Sequence, residues 1–226
     1  MDTIIYIDGY NLFYGRLRNT SFKWLDPVKL FKSISKIQNP ASNVIKVKYF
    51  TSPVKANFAS HGRDSTKAQD NYHRALKQIY GDGIDIIYGY HTVEMGFPPL
   101  YKKPIDKDDR VEIWKFEEKQ TDVNIALHMY RDAIRGHCTQ QILVSNDSDL
   151  ELPLKLVSED KPEIDLGLII PRAKPSATGK SRPPNKRLSK HVNWTRNYIL
   201  DQECKDAQLN DNIATRKKPI IKPAHW

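Results

Sequence analysis

Four aspartates, Asp8, Asp122, Asp147 and Asp149, stand where a carboxylate can do chemistry. Asp8 closes the apolar run Thr3-Ile4-Ile5-Tyr6-Ile7. Asp147 and Asp149 follow Gln141-Ile142-Leu143-Val144-Ser145-Asn146. A buried strand that ends in an acid is how an open α/β sheet presents charge at its carboxyl edge. Asp122 opens the amphipathic segment that leads into the second of these strands. If the two strands are neighbours, all four carboxylates face one crevice. Carboxylates crowded together raise one another's pKa, and a hard divalent cation removes the conflict. Oxygen ligands without clustered His or Cys favour Mg2+ or Mn2+ over Zn2+.

Each acid also has a purely structural reading. Asp8-Gly9 suits a turn, and Asn11 a helix cap. Asp122 suits the positive end of a helix, as do Asp147, Asp149 and Glu151. What separates the two readings is the joint occurrence at two strand ends and one helix start. Other chemistries lack their signatures. The seven histidines are scattered, and there is no Gly-x-x-x-x-Gly-Lys loop, Gly-x-Gly-x-x-Gly turn or Gly-x-Ser-x-Gly elbow.

The elements that must position these acids follow from the apolar spacing. A short helix is expected over Asn11–Arg18. Asp26-Pro27 is an N-cap with Pro at the first helical position, opening a helix to about Ile37 with Val28, Leu30, Phe31, Ile34 and Ile37 on one face. Val44–Phe50 reads as a strand whose Lys46 and Lys48 face is the less buried. Thr66–Tyr80 reads as a helix and Ile84–Tyr90 as a third strand. Residues 91 to 118 break the rhythm as an insertion, with Val111–Phe116 pairing as a hairpin with residues 100 to 105. Thr121–Arg135 is expected to be helical, burying Val123, Ala126, Leu127, Tyr130 and Ile134. Strand four is Ile142–Ser145, the next helix Ser148–Ser158, and strand five Ile164–Ile170. A loop is expected over 172–187, a last helix over Leu188–Cys204 with Trp194 and Tyr198 on its core face, and an extended end over Pro219–Pro223. Alternating β and α elements of this kind give a mainly parallel sheet covered on both faces.

At 226 residues the chain suits one domain with an extension. The division expected is 1–171 for the domain and 172–226 for a basic loop, helix and extended segment packing on it or extending it. No apolar run approaches the ~18 residues of a membrane span. With Cys138 and Cys204 alone, no disulfide framework is expected, and the setting inferred is cytoplasmic. The formal charge of +9 is uneven: residues 1–170 carry 23 Lys and Arg against 23 Asp and Glu, whereas residues 171–226 carry 13 against 4. That asymmetry points toward a polyanion. Arg172, Lys174, Lys180, Arg182, Lys186, Arg187 and Lys190 form its densest stretch.

Three motifs in order, Ile7-Asp8-Gly9-Tyr10-Asn11-Leu12, Lys119-Gln120-Thr121-Asp122-Val123 and Ser145-Asn146-Asp147-Ser148-Asp149-Leu150, resemble the NYN domain of the PIN-like nuclease group, in particular its LabA-like branch. The resemblance implies a Rossmann-like three-layer sandwich with strand order 3-2-1-4-5, and metal-dependent cleavage of RNA, single-stranded RNA by preference. It makes Asp8, Asp122 and Asp147 metal ligands, Asp149 a further acid, and Asn11 an orienting residue. Asn146 stands where the family often has Gly. On that reading a metal-activated water hydrolyses the phosphodiester. Asn11 or Ser145 would bond a phosphate oxygen, Lys119 beside Asp122 would either steady developing charge or be a solvated surface lysine, and Arg172, Lys174, Arg182, Lys186 and Arg187 would bind the substrate backbone. A homodimer is compatible. The competing readings are a non-catalytic RNA-binding scaffold on the same fold and a metal-dependent phosphatase. The phosphatase would want an acid where Tyr10 stands.

Overall fold

The computed structural model describes residues 1–175 and 183–226. In chain order its elements are β1 (Asp2–Asp8), α1 (Gly9–Leu12), α2 (Pro27–Gln38), β2 (Asn43–Thr51), α3 (Arg63–Tyr80), β3 (Ile84–Tyr88), β4 (Tyr90–Gly96), β5 (Ile113–Lys119), α4 (Thr121–Ile134), β6 (Gln140–Val144), α5 (Glu151–Asp160), β7 (Asp165–Ile169), α6 (Lys186–Ser189), β8 (Trp194–Arg196), α7 (Asp201–Asp206), β9 (Asn212–Ile213) and β10 (Ile220–Ile221). The central sheet is parallel, in the order β3-β2-β1-β6-β7-β8. Counting only the five strands expected from sequence, that is 3-2-1-4-5, with one further edge strand.

Alternation along the strands builds two cores. Ile5 and Ile7 of β1, with Val47, Tyr49, Ile142 and Val144, face α2 and α3. Ile4 and Tyr6, with Phe50, Leu143 and Leu168, face α4 and α5. Successive side chains on a strand point to opposite faces, so a fully buried strand needs both sets apolar. The helix starts follow local chemistry. Asp26 accepts from the Lys29 amide at 2.9 Å, with Pro27 at the first helical position.

Several expectations need correction. The β5 strand pairs antiparallel with Tyr90–Gly96, not with residues 100–105. Pro104 lacks an amide donor, whereas 90–96 offers an unbroken ladder. Ile37 is exposed. The buried face of α4 is Thr121, Ile125, Met129, Asp132 and Ala133, while Val123, Leu127, Tyr130 and Ile134 are exposed. Lys48 is buried too, its Nζ donating to Asp132 Oδ2 at 2.5 Å. That ion pair explains why a polar stripe could face the core. No helix spans 188–204: Trp194 lies on β8, whose edge pairs with β7. The indole rests on Gly167, where a Cβ would stand 2.1 Å from a ring carbon. Trp194 does pack against the core.

The segment after 183 is built into the same body. Ile199, Cys204, Leu209 and Ile220 are buried in the first core. Trp226 meets Trp24 and Tyr72 ring to ring. Both cysteines are free and buried. Among the described residues no helix is long and apolar enough to cross a membrane.

Candidate active site

Register sets the centre of the site. Ile7 pairs with Val144, which puts Asp8 beside Ser145 at the carboxyl ends of two adjacent parallel strands. Asp8 is 4% exposed and caps α1. One carboxylate oxygen accepts from the Asn11 amide at 2.9 Å and the other from the Ser145 hydroxyl at 2.9 Å. Gly9 is required next. A Cβ there would lie 2.7 Å from the Phe50 carbonyl oxygen and 2.9 Å from the Tyr49 ring.

The loop after β6 is tied to the same place. The Asn146 amide donates to Asn11 Oδ1 at 3.0 Å, and the Asp147 amide to Ser145 Oγ at 3.1 Å. Asp147 in turn caps the turn that enters α5, its Oδ1 accepting from the Asp149 amide. Asn146 does not use the left-handed freedom expected of a glycine substitute; among the described non-glycine residues, only Asn19 and Gln120 have positive φ. Its side chain instead bonds Pro183 O and the Asn185 amide, pinning the chain just before Lys186 and Arg187 to the site loop.

Asp122 lies in the first turn of α4, after Gln120 at φ 71°. Its field reaches the others. Burial, then Asp147, Glu118 and Asp149, push its carboxyl up to about 6. Burial pushes Asp8 up to about 7; the bonds from Asn11 and Ser145 oppose this, and Asp122 and Glu118 add to it. Asp122 thus feels Asp147 and Asp149, and Asp8 feels Asp122. Glu118, unforeseen from sequence, accepts from Ser52 Oγ at 2.8 Å and Thr121 Oγ1 at 2.5 Å. The signal for it was present, in acids at 117, 118 and 122 flanking a strand end and helix start.

The donors are oxygen-only, anionic and mutually repelling, which fits a hard divalent cation in chemistry. As the side chains lie, no three Asp, Glu, His or Cys among the described residues are close enough to grip one together. The remaining expected residues are dispersed. Lys119 pairs with Glu117 at 2.6 Å on the surface. Ser145 donates its hydroxyl proton to Asp8, so it braces the acid rather than facing outward. Arg172 Nε bonds Asn197 O. Lys174 and Lys186 are exposed, and Arg187 reaches Glu151 at 4.0 Å. Lys180 and Arg182 lie outside the described residues.

The family model of the NYN domain matches residues 2–178. The chain belongs to the NYN domain family. The match covers β1 through β7 and every aspartate of the site, and NYN domains have a PIN-like, nuclease-type fold. The NYN chain is also similar to 6-hydroxy-3-succinoylpyridine 3-monooxygenase HspA of Pseudomonas putida (strain DSM 28022 / S16). The two are 34% identical over 241 aligned positions, covering 99% of this chain and 75% of the relative. Among solved structures, a protein of unknown function, VPA0982, from Vibrio parahaemolyticus RIMD 2210633 aligns with a TM-score of 0.49 at 14% identity, over 92% of this chain and 96% of that one.

Proposed function

We propose that this NYN protein is a metal-dependent ribonuclease that hydrolyses phosphodiester bonds, with single-stranded RNA as the substrate. The reading is supported by the register that sets Asp8 beside Ser145 at two adjacent strand ends, and by the repulsion that Asp147 and Asp149 add at Asp122 and that Asp122 adds at Asp8. Asp8, Asp122 and Asp147 would hold Mg2+ or Mn2+, with Asp149 beside them. When bound, the ion supplies a water of lowered pKa and neutralises charge on the phosphate. Asn11 and Ser145 act as positioning residues. They fix the Asp8 carboxylate and the 146–147 loop. Lys186 and Arg187, which follow the Asn185 held by Asn146, would offer cations to the RNA backbone, and Lys174 a further one.

The test is cleavage of a labelled single-stranded RNA with Mn2+ or Mg2+. Wild type should cut, chelation should stop it, and Asp147→Asn should cut at least about 100-fold more slowly. Equal rates for the two proteins would remove Asp147 from the machinery. Salt-sensitive binding without cleavage would make the protein a scaffold. A second reading, oxygenation of a small aromatic compound, is favoured by the name of the Pseudomonas relative. It predicts oxygen uptake on incubation with hydroxypyridines and a reduced nicotinamide as electron donor, one oxygen atom entering the ring and the other leaving as water, and Asp147→Asn leaves that uptake unchanged.

A further inference from the structure

A recess is bounded on one side by Gly9 and Tyr10 of α1. It is a cavity of about 390 Å3, within the range of small-molecule sites. None of the four aspartates lines it, and neither does any other Asp or Glu. Its walls are aromatic: Tyr10, Tyr14, Tyr49, Phe58, Tyr72 and Phe116 all contribute. They come from α1, the turn after it, β2, the segment between β2 and α3, α3 itself and the β4–β5 arm. The rings are already ordered against one another. Phe58 stacks on Phe116 with centroids 5.3 Å apart, and Phe116 stacks on His91 at 4.4 Å. The charged lining is entirely cationic, from Arg18, Lys23 and Lys55. His225 also lines the cavity, and its Nε2 is buried with no hydrogen-bond partner among the described residues. A buried polar atom left unpaired is a destabilising feature that a ligand atom can relieve.

We propose that this cavity binds a planar aromatic ring carrying an anionic group. The ring would stack among Tyr14, Phe58 and Phe116, and the anion would meet Lys23, Lys55 and His225. Stacking on aromatic faces accepts any flat π-system, while cations without a competing acid select the negative charge. That chemistry has two sources, a nucleotide or a free aromatic acid.

The experiment is titration calorimetry of the full chain, without metal, with adenosine 5′-monophosphate and with nicotinate. Adenosine, nicotinamide and inorganic phosphate serve as controls. The inference predicts saturable binding of at least one anionic probe, tighter than its uncharged counterpart and tighter than phosphate. Binding of the nucleotide alone assigns the first source, and binding of nicotinate alone the second. Phe58→Ala and Lys55→Ala, both at exposed positions, should each weaken binding by roughly tenfold. Absence of binding by both probes would overturn the inference, as would binding equal to that of phosphate or unaffected by both substitutions. Because metal is omitted and no aspartate of the crevice is altered, failure here leaves the nuclease reading standing, and the reverse also holds.

Discussion

At the residue scale, Asp8 holds a charge its surroundings resist. A carboxyl raised from 3.8 to about 7 in the fold opposes ionisation by about 4 kcal/mol at most. The folded state then binds more protons than the unfolded one between about pH 4 and 7. Stability from this group therefore falls as pH rises through that window and is flat above it. Asp8→Asn in metal-free protein should raise the melting temperature at pH 8 by several degrees and much less at pH 4.5, as thermal denaturation at the two values would show. An equal effect at both would mean that Asp8 is not raised. His73 acts with the opposite sign. Burial, with Lys77 adding to it, lowers its pKa to about 4, so its contribution is present above about 6.5 and is lost as pH falls toward 4. His73→Gln should flatten the acid limb of the stability curve.

At the scale of elements, the sequence was most legible where apolar alternation was uninterrupted. β1, β6 and β7 are buried on both faces, and their order could be read, with their ends placed to within two residues. It was least legible on α4, where two apolar stripes compete and the buried one contains Asp132. Burial pushes that carboxyl up, but hydrogen bonds from Lys48 and Tyr6 win and hold it below its usual range. Only the fold shows that Lys48 on β2 lies opposite, because a helix pattern carries no information about its partner strand. The same blindness put a helix over 188–204, where Gly167 makes room for Trp194 on an edge strand. Two outcomes follow. Asp132→Ala leaves Lys48 charged, 8% exposed and unpaired by it, and should cost about 3–5 kcal/mol in denaturant unfolding. Gly167→Ala drives a methyl into the indole and should cost about 1–3 kcal/mol; no loss would mean that the β7–β8 contact is slack.

At the scale of the molecule, the family match ends at residue 178 but the packed body does not. Ile199, Cys204, Ala207, Leu209, Ile213 and Ile220 are all buried against the first core. Each buried side chain contributes about 1.5–3 kcal/mol, and a domain's net stability is only about 5–15 kcal/mol. A chain cut after residue 175 should therefore fail to unfold cooperatively, as circular dichroism melting would show. The charge asymmetry seen in the sequence acquires a place as well. Asn146 ties Pro183 and Asn185, just before Lys186 and Arg187, to the acid loop.

The claim on which the rest depends is that acids distant in sequence jointly hold a divalent ion. Titration of Mn2+ into the metal-free protein, followed by electron paramagnetic resonance of the free ion, measures it without reference to any substrate. Wild type should bind saturably. Asp8→Asn and Asp147→Asn should each weaken binding by roughly 10–100-fold while Asp64→Asn, on the exposed start of α3, changes nothing. Equal Mn2+ affinity in wild type and all three variants would contradict the account.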